Sequence, residues 1–166
     1  MDRLSPSRRS WLMSRVKSKD TGPEMRVRRA VHGLGYRFRL HQRKLSGCPD
    51  LVLPRLRSVI FVHGCFWHRH HGCPKASMPR SHKDYWLDKF VRNAARDRKA
   101  KAELKSLGWR VLVVWECQTK DASKLQARLR RYLSSASVVQ PSKRHAGGSP
   151  GRFLRIPKSL SRAQIR

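Results

Sequence analysis

The sequence predicts a single mixed α/β domain, and two observations indicate this fold class. The chain has 166 residues, which suits one domain with one hydrophobic core. Some segments space their apolar residues as an amphipathic helix does, and others are short runs of strand-forming residues. Along the chain these segments follow in the order α-β-β-loop-α-β-α. We therefore expect a mixed central sheet flanked by helices.

The predicted elements follow in order along the chain. The segment "GPEMRVRRAVHGLG" has Pro near its start and Gly at its end, which predicts a helix of about three turns. The runs "DLVL" and "SVIFVHG", joined by "PRLR", predict an antiparallel strand pair. Residues 81–107 predict a long helix with a basic outer face, ended by Gly108. "RVLVVW" then predicts a buried strand, and "DASKLQARLRRYL" predicts a last helix.

Composition divides the chain into three parts. Residues 1–20 are basic and polar, and we interpret them as an arm that orders on a binding partner. Residues 21–133 contain the predicted elements and form the expected folded domain. Residues 134–166 are rich in Ser, Pro, Gly and Arg, which predicts a basic and largely disordered tail. We expect this tail to strengthen binding electrostatically.

The charge of the chain indicates its class of partner. Thirty-nine Lys and Arg oppose ten Asp and Glu, which leaves a formal net charge of +29. Such a field attracts polyanions and releases their counterions, so nucleic acid is the expected partner. Ribosomal and membrane-surface proteins are the alternatives. No apolar run approaches the roughly 18 residues of a membrane span, and no signal-like run is visible, so we expect a cytoplasmic protein.

The stretch "HGCFWHRHHGC", residues 63 to 73, is rich in potential metal ligands. In a reducing compartment such clusters indicate metal more than disulfides, and structural zinc takes four Cys or His ligands. A loop that supplies three ligands and a strand end that supplies the fourth predict a site of Cys65, His70, Cys73 and Cys117. By spacing alone His68 and His71 compete with His70. A cysteine here is otherwise a small buried apolar residue, and Cys48 is left out of the set.

A carboxylate begins the first strand of the predicted pair. "GCPDLVL" places Asp50 at the mouth of that strand, and the antiparallel partner returns Val62 and His63 to the same end. In a strongly basic protein this combination indicates a nuclease centre in which Asp50 holds Mg²⁺. The alternative is a turn aspartate that caps the start of the strand.

One face of the long predicted helix combines aromatic and acidic side chains. Spacings of 4, 3 and 4 residues place on it Trp86, Phe90, Asn93 and Asp97. Asp97 could orient an imidazole such as His68, and the alternative is a solvated Asp–Arg pair. Glu24, in the first turn of the first helix, has a simple explanation as a charge that favours the helix dipole.

Phe66 and Trp67 are consecutive aromatic residues in the same loop as the candidate zinc ligands. One of two adjacent rings can face a core, but seldom both. Large rings on a rigid loop of a DNA-binding protein can enter a base step and unstack it. Packing into the core is the alternative for each ring.

Several blocks of the sequence, taken together, strongly resemble a known family. They are "KSKDTGPEMRVRRAVHGLGYRFR", "GCPDLVL", "VIFVHGCFWHRHHGC", "YWLDKFVRNAARDRK" and "LGWRVLVVWEC". In this order they resemble very-short-patch-repair DNA mismatch endonucleases, over about residues 10 to 133. The resemblance implies the fold of type II restriction endonucleases with a zinc-braced loop. It also implies Mg²⁺-dependent nicking 5′ to the thymine of a T:G mispair left by deamination of 5-methylcytosine.

The resemblance also implies a role for each matching residue. Asp50 and the backbone carbonyl of Val62 match magnesium ligands, and His68 matches the histidine that activates water, supported by Asp97. His63 and Glu24 match further active-site positions. The structural zinc ligands are matched by Cys65, His70, Cys73 and Cys117. The aromatic residues that intercalate beside the mispair are matched by Phe66, Trp67 and Trp86.

One departure and two alternatives remain. Best-known members of the family carry a hydroxyl side chain at the position of Val62, so a modest change in metal binding is expected. A restriction-like nuclease that cuts both strands of unmodified duplex is one alternative. A zinc-containing nucleic-acid-binding protein without catalysis is the other. Single-strand nicking suits a bacterial monomer acting at the nucleoid, and cooperation with mismatch-repair proteins stays open.

Overall fold

The computed structural model describes residues 19–79 and 81–136. It also describes six positions nearer the amino terminus: Ser5, Ser7, Arg8, Trp11, Ser14 and Arg15. Most of the predicted amino-terminal arm, and the predicted tail beyond residue 136, lie outside the described residues. Within the described part no helix is long and apolar enough to cross a membrane.

Three α-helices of the described part match the predicted helices closely. They are α1 (Gly22–Gly33), α2 (Lys83–Ser106) and α3 (Ala122–Ser134). Thr21 caps the start of α1, because its hydroxyl accepts a hydrogen bond from the backbone N–H of Glu24. Asp121 caps the start of α3, because its side chain accepts a hydrogen bond from the backbone N–H of Lys124. These caps explain why both helices begin where the sequence predicts.

Four strands form one mixed sheet in chain order. They are β1 (Arg39–Leu40), β2 (Leu51–Leu53), β3 (Ser58–His63) and β4 (Arg110–Trp115). The pairs β1–β2 and β2–β3 are antiparallel, and β3–β4 is parallel. The predicted antiparallel pair is confirmed, whereas β1 was not predicted. The prediction of β4 as a buried strand was too simple, because it lies at the sheet edge and only Val114 is fully buried there.

Apolar side chains cover both faces of the sheet, as the alternation of a strand requires. On one face, α1 and α3 pack on the strands through ten buried side chains: Val27, Val31, Leu51, Leu53, Leu56, Ile60, Val114, Leu125, Leu129 and Leu133. On the other face, Leu104 of α2 packs against Val52, Val59 and Phe61. The sheet therefore lies between α1 and α3 on one side and α2 on the other. This confirms the predicted mixed α/β domain with flanking helices.

Candidate active site and metal centre

A cleft of about 690 Å³ lies where β2 begins and β3 ends. The antiparallel pairing of these strands brings their two termini to one edge of the sheet. The cleft is lined by six residues that the sequence predicts at the active site: Glu24, Asp50, Val62, His63, His68 and Asp97. Trp67, which the sequence predicts to enter the DNA, also lines it. The fold thus brings the predicted catalytic residues into one cavity.

The carboxylate of Asp50 is bound directly to the neighbouring strand. Its Oδ2 accepts a hydrogen bond of 2.7 Å from the backbone N–H of Val62. Burial raises the pKa of Asp50 to about 6, against the opposing effect of this hydrogen bond, and the nearby Glu24 adds to the increase. A buried carboxylate of this kind is well placed to bind a cation, which offsets the cost of its charge.

His68 and Asp97, which also line the cleft, form a short hydrogen bond. The distance from His68 Nδ1 to Asp97 Oδ2 is 2.6 Å. Burial alone would raise the pKa of Asp97, but the hydrogen bond to His68 and nearby positive charge lower it below the ordinary value. An ionised Asp97 holds the proton of His68 on Nδ1, so Nε2 is the nitrogen left to accept another proton.

His63 lies directly against this pair. Its ring stacks on His68 with centroids 3.8 Å apart, and its Nδ1 is 3.8 Å from Asp97 Oδ2. Burial, together with the charges of His68 and Lys101, lowers the pKa of His63 to about 4, and Asp97 opposes these effects. His63 is therefore neutral near pH 7 and packs as a flat, uncharged support for His68.

The predicted cluster of three cysteines and one histidine is present as a cluster. The ligand atoms of Cys65, His70, Cys73 and Cys117 all lie within 4.8 Å of one another. His70 Nδ1 is 3.6 Å from Cys65 Sγ and 3.3 Å from Cys117 Sγ. Tetrahedral zinc separates such ligand atoms by about 3.5 to 3.8 Å. The four ligand atoms and the distances between them therefore fit zinc. His70, and not His68, lies in this cluster, because His68 is hydrogen-bonded to Asp97.

An aromatic cluster extends from the loop onto α2, and we define it as Phe66, Trp67, Trp86 and Phe90. The ring centroid of Phe66 lies 5.1 to 5.4 Å from the ring centroids of the other three residues. Only Phe90 is fully buried, so neither ring of the adjacent pair Phe66 and Trp67 is a simple core residue. The side-chain amide of Asn93 donates to Trp67 O at 3.0 Å, which fixes this loop on α2.

Glu24 is held by groups of its own helix terminus. Its carboxylate accepts hydrogen bonds from the Thr21 hydroxyl, the backbone N–H of Asp20 and Arg28. These contacts resemble a capping box, in which the third helical residue reaches back past the cap. Glu24 is 4% exposed, and it faces the cleft beside Asp50 without contacting the His68–Asp97 pair.

Two groups of site residues were not found from the sequence. Arg28 and His41 connect Glu24 with Asp50 from behind the cleft wall. Glu116 lines the cleft and pairs with Lys75 of the cysteine-rich loop. His41 follows a two-residue strand, and Lys75 lies in the cysteine-rich loop. Neither the contacts of His41 nor the pairing of Lys75 with Glu116 could therefore be predicted from a periodic pattern in the sequence.

A cleft lined by carboxylates and imidazoles in a protein of charge +29 is typical of a DNA endonuclease. Comparisons with known proteins agree. The family model described as DNA mismatch endonuclease Vsr matches residues 1–75. The chain is 54% identical to the type II nicking enzyme V.XorIIP of Xanthomonas oryzae pv. oryzae over 132 residues, which cover 80% of this chain and 96% of that protein.

Two further relatives give the same result. The type II nicking enzyme V.NmeAIP of Neisseria meningitidis is 41% identical over 132 residues, which cover 80% of this chain and 94% of that protein. The DNA mismatch endonuclease Vsr of Escherichia coli is 43% identical over 117 residues, 70% of this chain and 74% of that protein. The chain therefore belongs to the DNA mismatch endonuclease Vsr family, and DNA is its partner.

Proposed function

We propose that this protein nicks duplex DNA 5′ to the thymine of a T:G mispair, in a reaction that depends on Mg²⁺. The observation that carries the proposal is the cleft itself, which combines Asp50 with the His68–Asp97 pair next to Trp67. Relatives named as a mismatch endonuclease and as nicking enzymes support it. The mixed sheet with helices on both faces also supports the restriction endonuclease-like core that the sequence predicts.

Asp50 and the backbone carbonyl of Val62 would hold the magnesium ion. Carboxylate and carbonyl oxygens are ligands that this hard cation prefers, and the buried Asp50 carboxylate fits it. When bound, magnesium polarises the scissile phosphate and lowers the pKa of a coordinated water. The chain itself positions the carboxylate, through the hydrogen bond that Val62 N–H donates to Asp50.

His68 would accept the proton of the attacking water at its Nε2 atom. Asp97 fixes the ring through Nδ1 and stabilises the positive charge that the proton brings. His63 keeps the ring plane in place by stacking on it. His68 would therefore act as the general base, and Asp97 and His63 would hold its ring in the cleft that Asp50 also lines.

Zinc bound by Cys65, His70, Cys73 and Cys117 would be structural. Four protein ligands fill its tetrahedral shell, so no position is left for a substrate. The site joins the loop after β3 to the end of β4, and His70 also stacks on Trp115 with centroids 4.2 Å apart. The loop that carries His68 and Trp67 is thereby tied to the sheet.

The aromatic residues Phe66, Trp67 and Trp86 would enter the DNA beside the mispair. All three side chains are half-buried, Trp67 lines the cleft, and the rings of Phe66 and Trp86 lie next to Trp67. A mispair loses less stacking and pairing energy on opening than a matched pair, which favours the mispaired site. The distortion would bring the scissile phosphate to Asp50.

A nicking assay on a labelled duplex tests this function. Duplexes with a single T:G mispair and with the matched C:G pair are compared, each strand labelled separately, with Mg²⁺ and with a chelator. We expect Mg²⁺-dependent cleavage of the thymine strand alone, on the 5′ side of the mispaired thymine. Equal cutting of both strands of the matched duplex would instead indicate a restriction-like nuclease and contradict the proposal.

A further inference from the structure

A chain of polar groups, of which Arg28 and Glu24 are buried, runs from the first helix to Asp50. Arg28, on the inner face of α1, is 9% exposed, and its NH2 atom is 3.0 Å from Glu24 Oε2. Its NH1 atom is 2.5 Å from Asp20 Oδ1. The same NH2 atom lies 2.9 Å from Nε2 of His41. Arg28 thus contacts two carboxylates and one imidazole behind the wall of the cleft.

The contact with Arg28 determines which nitrogen of His41 carries the proton. A guanidinium group only donates hydrogen bonds, so His41 Nε2 must be the acceptor. With Nε2 as the acceptor, the N–H group of the ring lies on Nδ1. This Nδ1 atom is 3.9 Å from Asp50 Oδ1. The fixed tautomer therefore presents an N–H group to Asp50.

The two oxygens of Asp50 then face two different donors. Oδ2 accepts the Val62 N–H at 2.7 Å, whereas Oδ1 faces His41 Nδ1. A distance of 3.9 Å is longer than a hydrogen bond, so His41 acts on Oδ1 through the electrostatic attraction between its N–H group and the carboxylate. A donor on each side limits rotation of the carboxylate about its Cβ–Cγ bond.

The placement of Arg28 and His41 is costly for stability. Burying a guanidinium among carboxylates rarely stabilises a fold more than an apolar side chain would, and Arg28 Nε is buried without a hydrogen-bond partner among the described residues. His41 adopts a φ of 44°, a left-handed conformation that is unfavourable for a residue with a side chain. Costs of this kind concentrate where geometry serves function.

We propose that Arg28 and His41 form a positioning pair for Asp50, in which Arg28 fixes the tautomer of His41 and His41 orients the carboxylate. The proposal rests on the role of Asp50 proposed above. Neither residue lines the cleft, so both act through Asp50.

The tautomer can be observed directly by NMR of the full chain labelled with ¹⁵N-histidine. Long-range ¹H–¹⁵N correlations distinguish the two neutral tautomers, and the signal that disappears in His41→Gln assigns His41. We expect His41 of the wild type to carry its proton on Nδ1, and Arg28→Met to shift the ring toward the Nε2–H form. An Nε2–H tautomer in the wild type would overturn the proposal whatever the activity of the enzyme.

Single-turnover nicking at subsaturating Mg²⁺ tests the consequence for Asp50. We expect His41→Leu and Arg28→Met each to lower the rate by about 10- to 100-fold, as loss of groups that orient metal ligands does. The double variant should add little, because both act through one carboxylate. His41→Gln should recover to within a few-fold of wild type, because its amide can accept from Arg28 and donate to Asp50.

Matched controls separate this proposal from the proposed function. Arg29→Met and His32→Leu remove the same groups from the exposed side of α1, and they should leave the nicking rate unchanged. If Asp50→Asn nicks as fast as wild type, the proposed role of Asp50 fails. If Asp50 is required but His41→Leu stays within a few-fold of wild type, the positioning pair alone is contradicted.

Discussion

At the scale of single residues, the proposed reaction requires Asp97 to supply the negative charge that stabilises His68 when it accepts a proton. Asp97→Asn keeps the shape of the side chain but removes this charge, so we expect single-turnover nicking to fall by about 10- to 100-fold. DNA binding should stay the same, because Asp97 faces His68. Asp88→Asn, on the exposed side of the same helix, is the control. A rate equal to that of the control would contradict the role of Asp97.

His63 should make stability depend on pH in a defined window. Its pKa is about 4 in the folded protein, compared with an ordinary value of 6.5. Between these values the unfolded chain binds a proton that the folded chain does not, so stability is lost as pH falls through the window. Relative to His63→Gln, we expect the wild type to lose about 2 to 3 kcal/mol between pH 7 and pH 4.

Urea unfolding of both proteins at several pH values measures this difference. Comparison with the variant is needed because Asp50, with a pKa near 6, changes stability in the opposite direction over part of the same window. His32→Gln, at an exposed position, should show no such trend. A pH-independent difference between wild type and His63→Gln would show that burial does not hold His63 neutral.

The residue-level site was predictable where a regular pattern or a local motif carries it. Helical spacing placed Asp97 on the same face as Trp86, and strand pairing returned His63 to Asp50. The contact of Arg28 with His41 was not predictable, because it depends on the left-handed backbone at His41. Such conformations are set by tertiary packing and leave no periodic signal in the sequence.

At the scale of elements, Gly47 lets the segment before β2 approach α2 closely. It has a φ of 71°, and a Cβ atom there would lie 2.7 Å from Cβ of Ala100. Ala100 has no flexible side chain that could move away, so Gly47→Ala adds a steric clash to backbone strain. We expect a loss of about 2 kcal/mol or more in the free energy of unfolding, measured by urea denaturation.

Gly35→Ala is a matched control for the clash. Gly35 has a φ of 85°, but an added Cβ would meet nothing within 4 Å. It should therefore show the cost of the backbone conformation alone, on the order of 1 kcal/mol. Equal destabilisation by the two substitutions would mean that the close approach to Ala100 has no energetic effect.

The cysteine cluster should bind one zinc ion per chain and stabilise the loop after β3. Cys117→Ser removes the ligand supplied by the end of β4, so we expect the variant to be purified with less zinc and to have a lower Tm than wild type. Cys48→Ser changes a thiol outside the cluster and should keep both the metal and the Tm. Metal analysis and thermal unfolding measure these properties. A full zinc content in Cys117→Ser would contradict the ligand set.

Long periodic elements were the predictable part of the architecture. Helices α1 and α2 and the pair β2–β3 follow from apolar spacing, Pro and Gly. Strand β1 was missed because it has two exposed residues, too few to show alternation. The exposure of β4 was missed because a sequence does not state which strand lies at a sheet edge.

At the scale of the whole molecule, charge determines how tightly the protein holds DNA. Seven Lys and Arg follow residue 136, and each phosphate contact they make contributes about 0.9 to the slope of log affinity against log salt. We expect a chain ending at residue 136 to bind DNA more weakly, with a shallower salt slope, and to keep its mispair preference. Fluorescence anisotropy at several salt concentrations measures the slope. An unchanged slope would mean that the tail does not contact DNA.

If Asp50 is the proposed catalytic centre, its carboxylate is required for nicking but not for DNA binding. Nicking of a T:G duplex and binding to the same duplex are measured together for wild type, Asp50→Asn and the exposed control Asp88→Asn, in Mg²⁺. We predict that Asp50→Asn loses nicking and binds DNA at least as tightly, because the substitution removes a negative charge near the phosphates. Nicking by Asp50→Asn at the rate of the control would contradict this assignment of the active site.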